Sequence, residues 1–121
     1  MPKTHVLFYQ EGERVPVLDW LDQLPAKAQD KCVVRIERLR ELGHELRRPE
    51  ADLLRDGIHE LRVGLQGKHY RMLYFFHGNR AAVLAHALVK EREVPPREID
   101  IAIERKRKFT QNPDTHIYRE V

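Results

Sequence analysis

The sequence predicts a single α+β domain spanning residues 1–121, in which a small antiparallel sheet packs against an N-terminal helical hairpin and a C-terminal helix. Three observations support this fold class. Apolar residues recur with a helical period in two segments near the N-terminus, with a period of two from about residue 56, and with a helical period again near the C-terminus. The predicted order is β–α–α–β–β–β–α, with a core at about 5–109 and a polar tail at 110–121.

The N-terminal third is predicted to contain one strand and two helices. The segment HVLFYQ (5–10) is rich in β-branched and aromatic residues, which is typical of a short strand. In VPVLDWLDQLP, Pro16 suits the first turn of a helix and Pro25 ends it, with an apolar stripe at Val17, Leu21 and Leu24. The next segment, AKAQDKCVVRIERLRELG, predicts a longer helix that stops at Gly43 and has one apolar face, formed by Ala28, Cys32, Ile36 and Leu39.

The segment HELRRPEAD (44–52) is predicted to be a loop, because it is polar and Pro49 disfavours regular structure. Three strands follow. The stretch DGIHELRVGLQGKHYRMLYFF contains two strands joined by a glycine-containing turn, and AAVLAHALVK is an apolar strand expected to be central or covered on both faces. The last element, PPREIDIAIERKRKF, predicts a helix with an apolar stripe at Ile99, Ala102 and Ile103.

Composition excludes several classes of protein. The chain has 121 residues, a net charge of +3 and a single cysteine, Cys32. One cysteine forms no internal disulfide, so a reducing compartment is expected, and Cys32 is predicted to be a core residue. The sequence shows neither a signal-peptide pattern nor an apolar run of the ~20 residues that would cross a bilayer. We therefore predict a cytoplasmic protein that has no membrane partner.

Motifs for cofactor chemistry are absent from the sequence. It has no glycine-rich phosphate loop, no dinucleotide fingerprint and no Cys-x-x-Cys pair. Its seven histidines do not occur in His-x-His or His-x-x-x-His pairs, which are the usual spacings of metal ligands. We predict neither a metal site nor a small-molecule cofactor.

Cations and imidazoles concentrate along the predicted strands. Strand alternation places Glu60 and Arg62 on one face, and Arg71 on one face with Leu73 and Phe75. A sheet face that carries several cations can hold a phosphate backbone. The alternative is that Arg62 and Arg71 pair with Glu60 and other carboxylates and only satisfy a partly buried face. Spacing alone leaves both interpretations open.

Four segments in this order, DGIHELRV, HYRMLYFF, VLAHALVKE and PPREIDIAIERKRKF, resemble the RelE/ParE superfamily of toxins from bacterial toxin–antitoxin modules. Within it, the sequence is most similar to the phage-derived, HigB-like branch, over about residues 5–109. The resemblance implies a RelE-like sheet flanked by helices. It also implies a metal-independent endoribonuclease that cleaves messenger RNA, often on the ribosome, by attack of a 2′-hydroxyl on the adjacent phosphate. The implied partners are messenger RNA, the ribosome and an antitoxin, usually a helix-turn-helix protein in this branch.

The resemblance also suggests roles for individual residues. Arg71 matches the arginine after the aromatic residue of the second hairpin strand and is the first candidate for phosphate stabilisation. Arg62 matches the arginine of the Glu-Leu-Arg motif, and Lys90 matches the first lysine after the apolar strand. Many relatives continue there with a second lysine, whereas this chain has Glu91, and the next cation is Arg92. The full set of predicted catalytic residues is Arg71, Lys90, Arg92 and His59, and the predicted RNA-binding residues are Arg62, Lys68, His69 and His86.

No motif in the sequence identifies the general acid or the general base. Histidine side chains can transfer protons near neutral pH, so the histidines are considered first. His59, His69 and His86 are candidates, with His116 and Tyr118 of the tail as further ones. Two alternative functions remain open. The same fold could inhibit DNA gyrase, as ParE-like toxins do, or it could be a non-catalytic module that only binds an antitoxin.

Overall fold

A computed structural model describes residues 3–90 and 92–119 and contains one five-stranded sheet with helices on both faces. The strands are β1 (His5–Phe8), β2 (Ala51–Arg55), β3 (Ile58–Leu65), β4 (Lys68–His77) and β5 (Ala81–Val89). The helices are α1 (Pro16–Asp22), α2 (Ala26–Leu42), α3 (Pro96–Gln111) and α4 (Pro113–His116), with a 3₁₀ turn at Gly43–Glu45. The α+β class and the predicted order of the main elements are confirmed.

The sheet differs from the prediction at both of its edges. Its strand order is β1-β5-β4-β3-β2, and β1 pairs with β5 in parallel, so the sheet is mixed rather than wholly antiparallel. The segment 44–52, predicted to be a loop, ends in β2, which pairs with β3 from Ala51 onward. Pro49 lies before the strand and therefore removes no donor from the ladder. In the tail, α4 forms and Tyr9 pairs with Ile117 beside β1.

The predicted turn between the hairpin strands sets the register of the two longest antiparallel strands. Gln66 and Gly67 both have a positive φ, 52° and 80°, as a two-residue turn of the primed type requires. Leu65 therefore faces Lys68, and counting back along the ladder places Arg62 opposite Arg71. The turn thus brings two arginines that are nine positions apart in the chain side by side.

Each face of the sheet has its own core. The first core lies under α1 and α2, and the predicted face of α2 is buried there against Leu61, Val63 and Met72. The second core lies under α3, where Ile99, Ala102 and Phe109 pack with Leu73, Phe75 and Val83. The predicted alternation along β3 is confirmed: Leu61 and Val63 lie in the first core, and Glu60 and Arg62 face the α3 side.

Cys32 is fully buried in the first core, and burial raises its pKa to about 11. A thiol that is buried and protonated at neutral pH is not a nucleophile, so its predicted role as a core residue is confirmed. Among the helices of the described residues, none is both long and apolar enough to span a membrane.

Two substitutions on α2 test whether its buried face stabilises the fold. Leu39 is fully buried, whereas Val34, on the same helix, is 62% exposed. Leu39→Ala should lower the free energy of unfolding by roughly 2–5 kcal/mol, because it removes buried methyl groups and leaves a cavity. Val34→Ala should change it by less than about 0.5 kcal/mol. Urea denaturation measures both, and equal losses would contradict the assignment of the core.

Candidate functional site

A buried carboxylate lies at the centre of the candidate site. Glu60 is 1% exposed, and its Oε1 accepts hydrogen bonds from Arg62 Nε and from Arg71 Nη1, the latter at 2.7 Å. Burying an unpaired carboxylate would be very costly, so Glu60 depends on these two arginines. The pairing that strand spacing left open as an alternative is therefore present.

An ion-pair chain extends from Glu60 to the protein surface. Arg62 Nη2 lies 3.6 Å from a carboxylate oxygen of Asp52, and Arg48 Nη2 lies 2.8 Å from the same oxygen. The hydrogen bond from Arg48 is the largest of the influences that lower the pKa of Asp52. Positive and negative side chains therefore alternate from the exposed Arg48 inward to the buried Arg71. Each buried charge in this series lies next to a charge of opposite sign.

Arg71 connects this chain to the segment that follows β5. It is 7% exposed, and its Nη2 donates a 2.8 Å hydrogen bond to the backbone carbonyl of Arg92. Its Nε is buried without a hydrogen-bond partner among the described residues. The guanidinium therefore anchors the backbone at Arg92 from beneath, and each of its terminal nitrogens donates one hydrogen bond.

An open basic cleft of about 500 Å³ lies at the end of the β4–β5 hairpin. It is lined by Lys68, Val89, Lys90, Arg92, Glu93 and Pro95. Lys68, Lys90 and Arg92 are all exposed, so three cations and one carboxylate surround the cleft. We call this the basic cleft. An open cavity with excess positive charge attracts an anionic polymer.

A second cleft, of about 350 Å³, adjoins the basic cleft. We call it the arginine cleft, because four arginines line it: Arg48, Arg55, Arg62 and Arg71. Asp52 and Glu60 oppose them, and Glu93 forms part of the wall of both clefts. The two cavities therefore meet at a single carboxylate.

His69 is exposed and lies on the same sheet face as Arg71, because the two residues are alternate positions of β4. Its backbone carbonyl accepts a 3.0 Å hydrogen bond from the amide of Lys90, so it lies beside the strand that leads into the basic cleft. Of the three histidines predicted on the strands, His69 is the exposed one, and its backbone is bonded to Lys90 of the basic cleft.

His86 occupies a different environment, under α3. Its Nε2 lies 3.1 Å from a carboxylate oxygen of Glu98, and its Nδ1 lies 3.2 Å from Arg105 Nη1. Burial lowers the pKa of His86; hydrogen bonding to Glu98 opposes that shift and the charge on Arg105 adds to it. The structure therefore does not bring His86 to either cleft, and its contacts tie β5 to α3.

His59 lies on the opposite face of the sheet from Arg71. Its ring stacks on Tyr74, with ring centroids 5.2 Å apart, and packs edge-on against Phe76. Burial lowers its pKa, and the nearby His44 lowers it further. Since β3 separates the two faces, His59 cannot reach a group bound beside Arg71.

The structure thus places five of the eight predicted residues in the walls of the two clefts: Arg62, Lys68, Arg71, Lys90 and Arg92. His69 lines neither cleft, although it is next to Lys68 in β4 and bonded through its backbone to Lys90. Glu91, the departure from the relatives' second lysine, lies outside the described residues. Sequence reasoning missed Glu93, Arg48, Asp52 and Arg55. Arg48, Asp52 and Arg55 flank or belong to β2, a strand that was not predicted because Pro49 disfavours regular structure. Glu93 could have been found from the sequence, because it directly follows the predicted cations Lys90 and Arg92 and precedes the apolar Val94.

The described residues contain no group of three or more His, Cys, Asp or Glu side chains placed to hold a metal ion. The family model described as Phage derived protein Gp49-like (DUF891) matches residues 19–107, which include both clefts, whereas no curated protein matches the chain.

The central role of Glu60 can be tested by removing its charge. Glu60→Gln should lower the free energy of unfolding by about 3 kcal/mol, because it leaves the buried Arg71 without a counter-charge. Glu37→Gln removes the same charge from an exposed pair with Arg40 and should change stability little. Urea denaturation at low and high salt compares them, and similar small effects would contradict the account.

The buried histidines should make stability depend on pH. The pKa values of His59 and His86 are lowered on folding, so between those values and about 6.5 the unfolded chain binds more protons than the folded one. The free energy of unfolding should therefore fall as pH drops below about 6.5. His86→Gln should flatten this dependence above the range where carboxylates titrate, as measured by urea denaturation between pH 8 and 5. An unchanged slope would show that His86 contributes nothing to it.

Proposed function

Because the chain belongs to the phage-derived Gp49-like family, a family of RelE/ParE-like toxins of toxin–antitoxin modules, we propose that it is a metal-independent endoribonuclease that cleaves messenger RNA on the ribosome. The family also suggests an antitoxin partner. The observation that carries the proposal is the basic cleft, where Lys68, Lys90 and Arg92 surround an open cavity next to a buried arginine.

The three exposed cations suit binding of an RNA backbone. Lysine and arginine side chains around an open cavity can contact successive phosphates without reading the bases, which fits a sequence-tolerant nuclease. The net charge of +3 adds weak attraction to any nucleic acid. The two flexible lysines supply point charges, whereas Arg92 can donate two parallel hydrogen bonds to one phosphate.

The proposed chemistry needs alignment, charge stabilisation and proton transfer. A 2′-hydroxyl attacks the adjacent phosphorus in line, the bond to the 5′-oxygen breaks, and negative charge increases on the non-bridging oxygens. Lys90 and Arg92 are proposed to stabilise that charge, since preorganised donors aimed at developing charge commonly contribute most to catalysis. Holding the hydroxyl in line contributes further, because alignment can reduce a barrier by several kcal/mol.

Arg71 is proposed to act as a positioning residue. It forms an ion pair with Glu60 and donates a hydrogen bond to the carbonyl of Arg92, so it holds the backbone at Arg92 in one place over the sheet. Because the side chain is 7% exposed and each terminal nitrogen already donates one of these bonds, a positioning role is proposed for Arg71. This assignment replaces direct phosphate stabilisation, which was the expectation from the resemblance.

Proton transfer to the leaving oxygen is assigned to His69, which is exposed and lies on the Arg71 face. No role at this site is proposed for His59, which lies across the sheet, or for His86, which is bonded to Glu98 beneath α3. The antitoxin is proposed to be a helix-turn-helix protein, as the resemblance implies, that covers the basic cleft.

The test is cleavage of a labelled messenger RNA, free and on programmed ribosomes, by the purified chain. Lys90→Ala with Arg92→Ala should lower kcat/KM by at least about 100-fold, since loss of even one such donor typically costs that much. The matched control is Lys27→Ala with Lys31→Ala, which removes two exposed cations from α2. Equal activity of the two double variants would remove the basic cleft from the proposal.

Expression in growing bacteria distinguishes the alternative functions. Arrest of growth with cleaved transcripts supports a ribonuclease. Arrest with a DNA-damage response and intact transcripts would instead indicate action on DNA gyrase. A chain that binds its antitoxin tightly but neither arrests growth nor cleaves RNA at high concentration would be a non-catalytic module.

A further inference from the structure

Glu93 occupies a distinctive place in the site. It lies on the wall shared by the basic cleft and the arginine cleft, with Lys68, Lys90 and Arg92 on one side and Arg62 and Arg71 on the other. Its side chain is exposed, so it is accessible to a bound polymer. A carboxylate at this position reduces the attraction for phosphate, which gives it no value if the site only binds RNA.

The backbone of Glu93 is fixed on both sides. The carbonyl of Arg92, immediately before it, accepts the 2.8 Å hydrogen bond from the buried Arg71. Val94, immediately after it, is 8% exposed and packs in the second core, and Pro95 then leads into α3. The backbone of Glu93 is therefore held in place before substrate arrives, which limits the positions that its carboxylate can reach.

Glu93 also differs from the other carboxylates of the clefts because, among the described residues, no arginine or lysine pairs with it. Asp52 accepts from Arg48 and Arg62, and Glu60 accepts from Arg62 and Arg71. Within residues 3–90 and 92–119, no side chain forms a hydrogen bond or an ion pair with the carboxylate of Glu93. Its oxygens are therefore free to accept a proton or a hydrogen bond from a ligand.

We infer that Glu93 is the general base that removes the proton from the attacking 2′-hydroxyl; this inference rests on the proposed ribonuclease function. The carboxylate takes the hydroxyl proton as the 2′-oxygen forms its bond to phosphorus. The bond from phosphorus to the 5′-oxygen breaks, and that oxygen leaves with a proton from the His69 imidazolium. The products are a 2′,3′-cyclic phosphate and a 5′-hydroxyl, so that atoms and charge balance without a further reactant.

The charges around Glu93 fit this division of labour. Lys90 and Arg92 are positively charged and stabilise the negative charge that increases on the phosphate oxygens. Glu93 therefore needs to contact only the 2′-hydroxyl of the sugar. His69, whose backbone carbonyl bonds the Lys90 amide, is assigned the transfer of the proton to the 5′-oxygen. A positioned base or acid typically contributes about 10²–10⁴-fold to the rate.

The experiment compares Glu93→Gln with Glu41→Gln. Glu41 is exposed on α2, across the sheet from the arginine cleft, so both variants remove one negative charge. The expected result for Glu93→Gln is a kcat about 100-fold or more below wild type and loss of the acidic limb of the pH–rate profile. Affinity for an RNA with a 2′-deoxy scissile nucleotide should be unchanged or tighter. Glu41→Gln should behave as wild type.

Two further variants separate chemistry from structure. Glu93→Asp keeps the carboxylate on a shorter side chain and should recover part of kcat together with the acidic limb. Arg71→Lys keeps the positive charge but loses the forked bonding that holds the Arg92 carbonyl. It should lower kcat and still show the acidic limb, because Glu93 remains in place as the base.

The outcomes distinguish the two proposals. If wild type cleaves RNA and Glu93→Gln cleaves it at a similar rate, the assignment of Glu93 is overturned and the ribonuclease function stands. If Glu93→Gln binds the deoxy-substituted RNA much more weakly, Glu93 acts in binding, which also overturns the assignment. If wild type cleaves no RNA, free or on ribosomes, the proposed function fails, and the role of Glu93 fails with it.

Discussion

The buried carboxylate of Glu60 is the constraint on which the site depends. A charge that is 1% exposed persists only where it is paired, and here two arginines from adjacent antiparallel strands pair with it. One of them, Arg71, then uses its remaining terminal nitrogen to hold the Arg92 carbonyl. The position of the Arg92 backbone above the sheet therefore depends on the ion pair between Glu60 and Arg71 within the sheet. This arrangement joins the two interpretations that strand spacing offered, because the same arginine satisfies a buried face and supports an exposed site.

The fold places two of the predicted histidines, His59 and His86, away from the proposed catalytic site. His86 is bonded beneath α3 and His59 is stacked on aromatic rings across the sheet, and burial lowers the pKa of each. Both are therefore expected to be neutral packing residues at neutral pH. His69 is exposed at the end of the hairpin, beside the cations. The distribution illustrates why histidine content is a poor guide to a site, whereas the sheet face and exposure of each histidine are informative.

Much of this arrangement could be predicted from the sequence, and the remainder shows where periodicity fails. The apolar face of α2 and the alternation along β3 follow directly from spacing, and a two-residue turn at Gln66–Gly67 sets the register that pairs Arg62 with Arg71. The same alternation shows that His59 and Glu60 face opposite sides, so His59 could have been separated from Arg71 without a structure. The strand β2 is a five-residue segment that closely follows Pro49, and the sequence does not identify it because its stability comes from pairing with β3. The parallel pairing of β1 with β5 is likewise a tertiary property, because about 70 residues separate the two strands. The place of Glu93 beside Lys90 and Arg92 is visible in the sequence, but its position between the two clefts is a tertiary property.

The central claim is that this protein cleaves RNA by using the 2′-hydroxyl of the RNA itself as the nucleophile. It is tested most directly by the chemistry of the ends that the purified protein produces from an RNA and from the same RNA with a single 2′-deoxy substitution at the scissile nucleotide. The account predicts fragments that end in a 2′,3′-cyclic phosphate and begin with a 5′-hydroxyl, and no cleavage at the deoxy position. Fragments with 3′-hydroxyl and 5′-phosphate ends, or undiminished cleavage at the deoxy position, would contradict it.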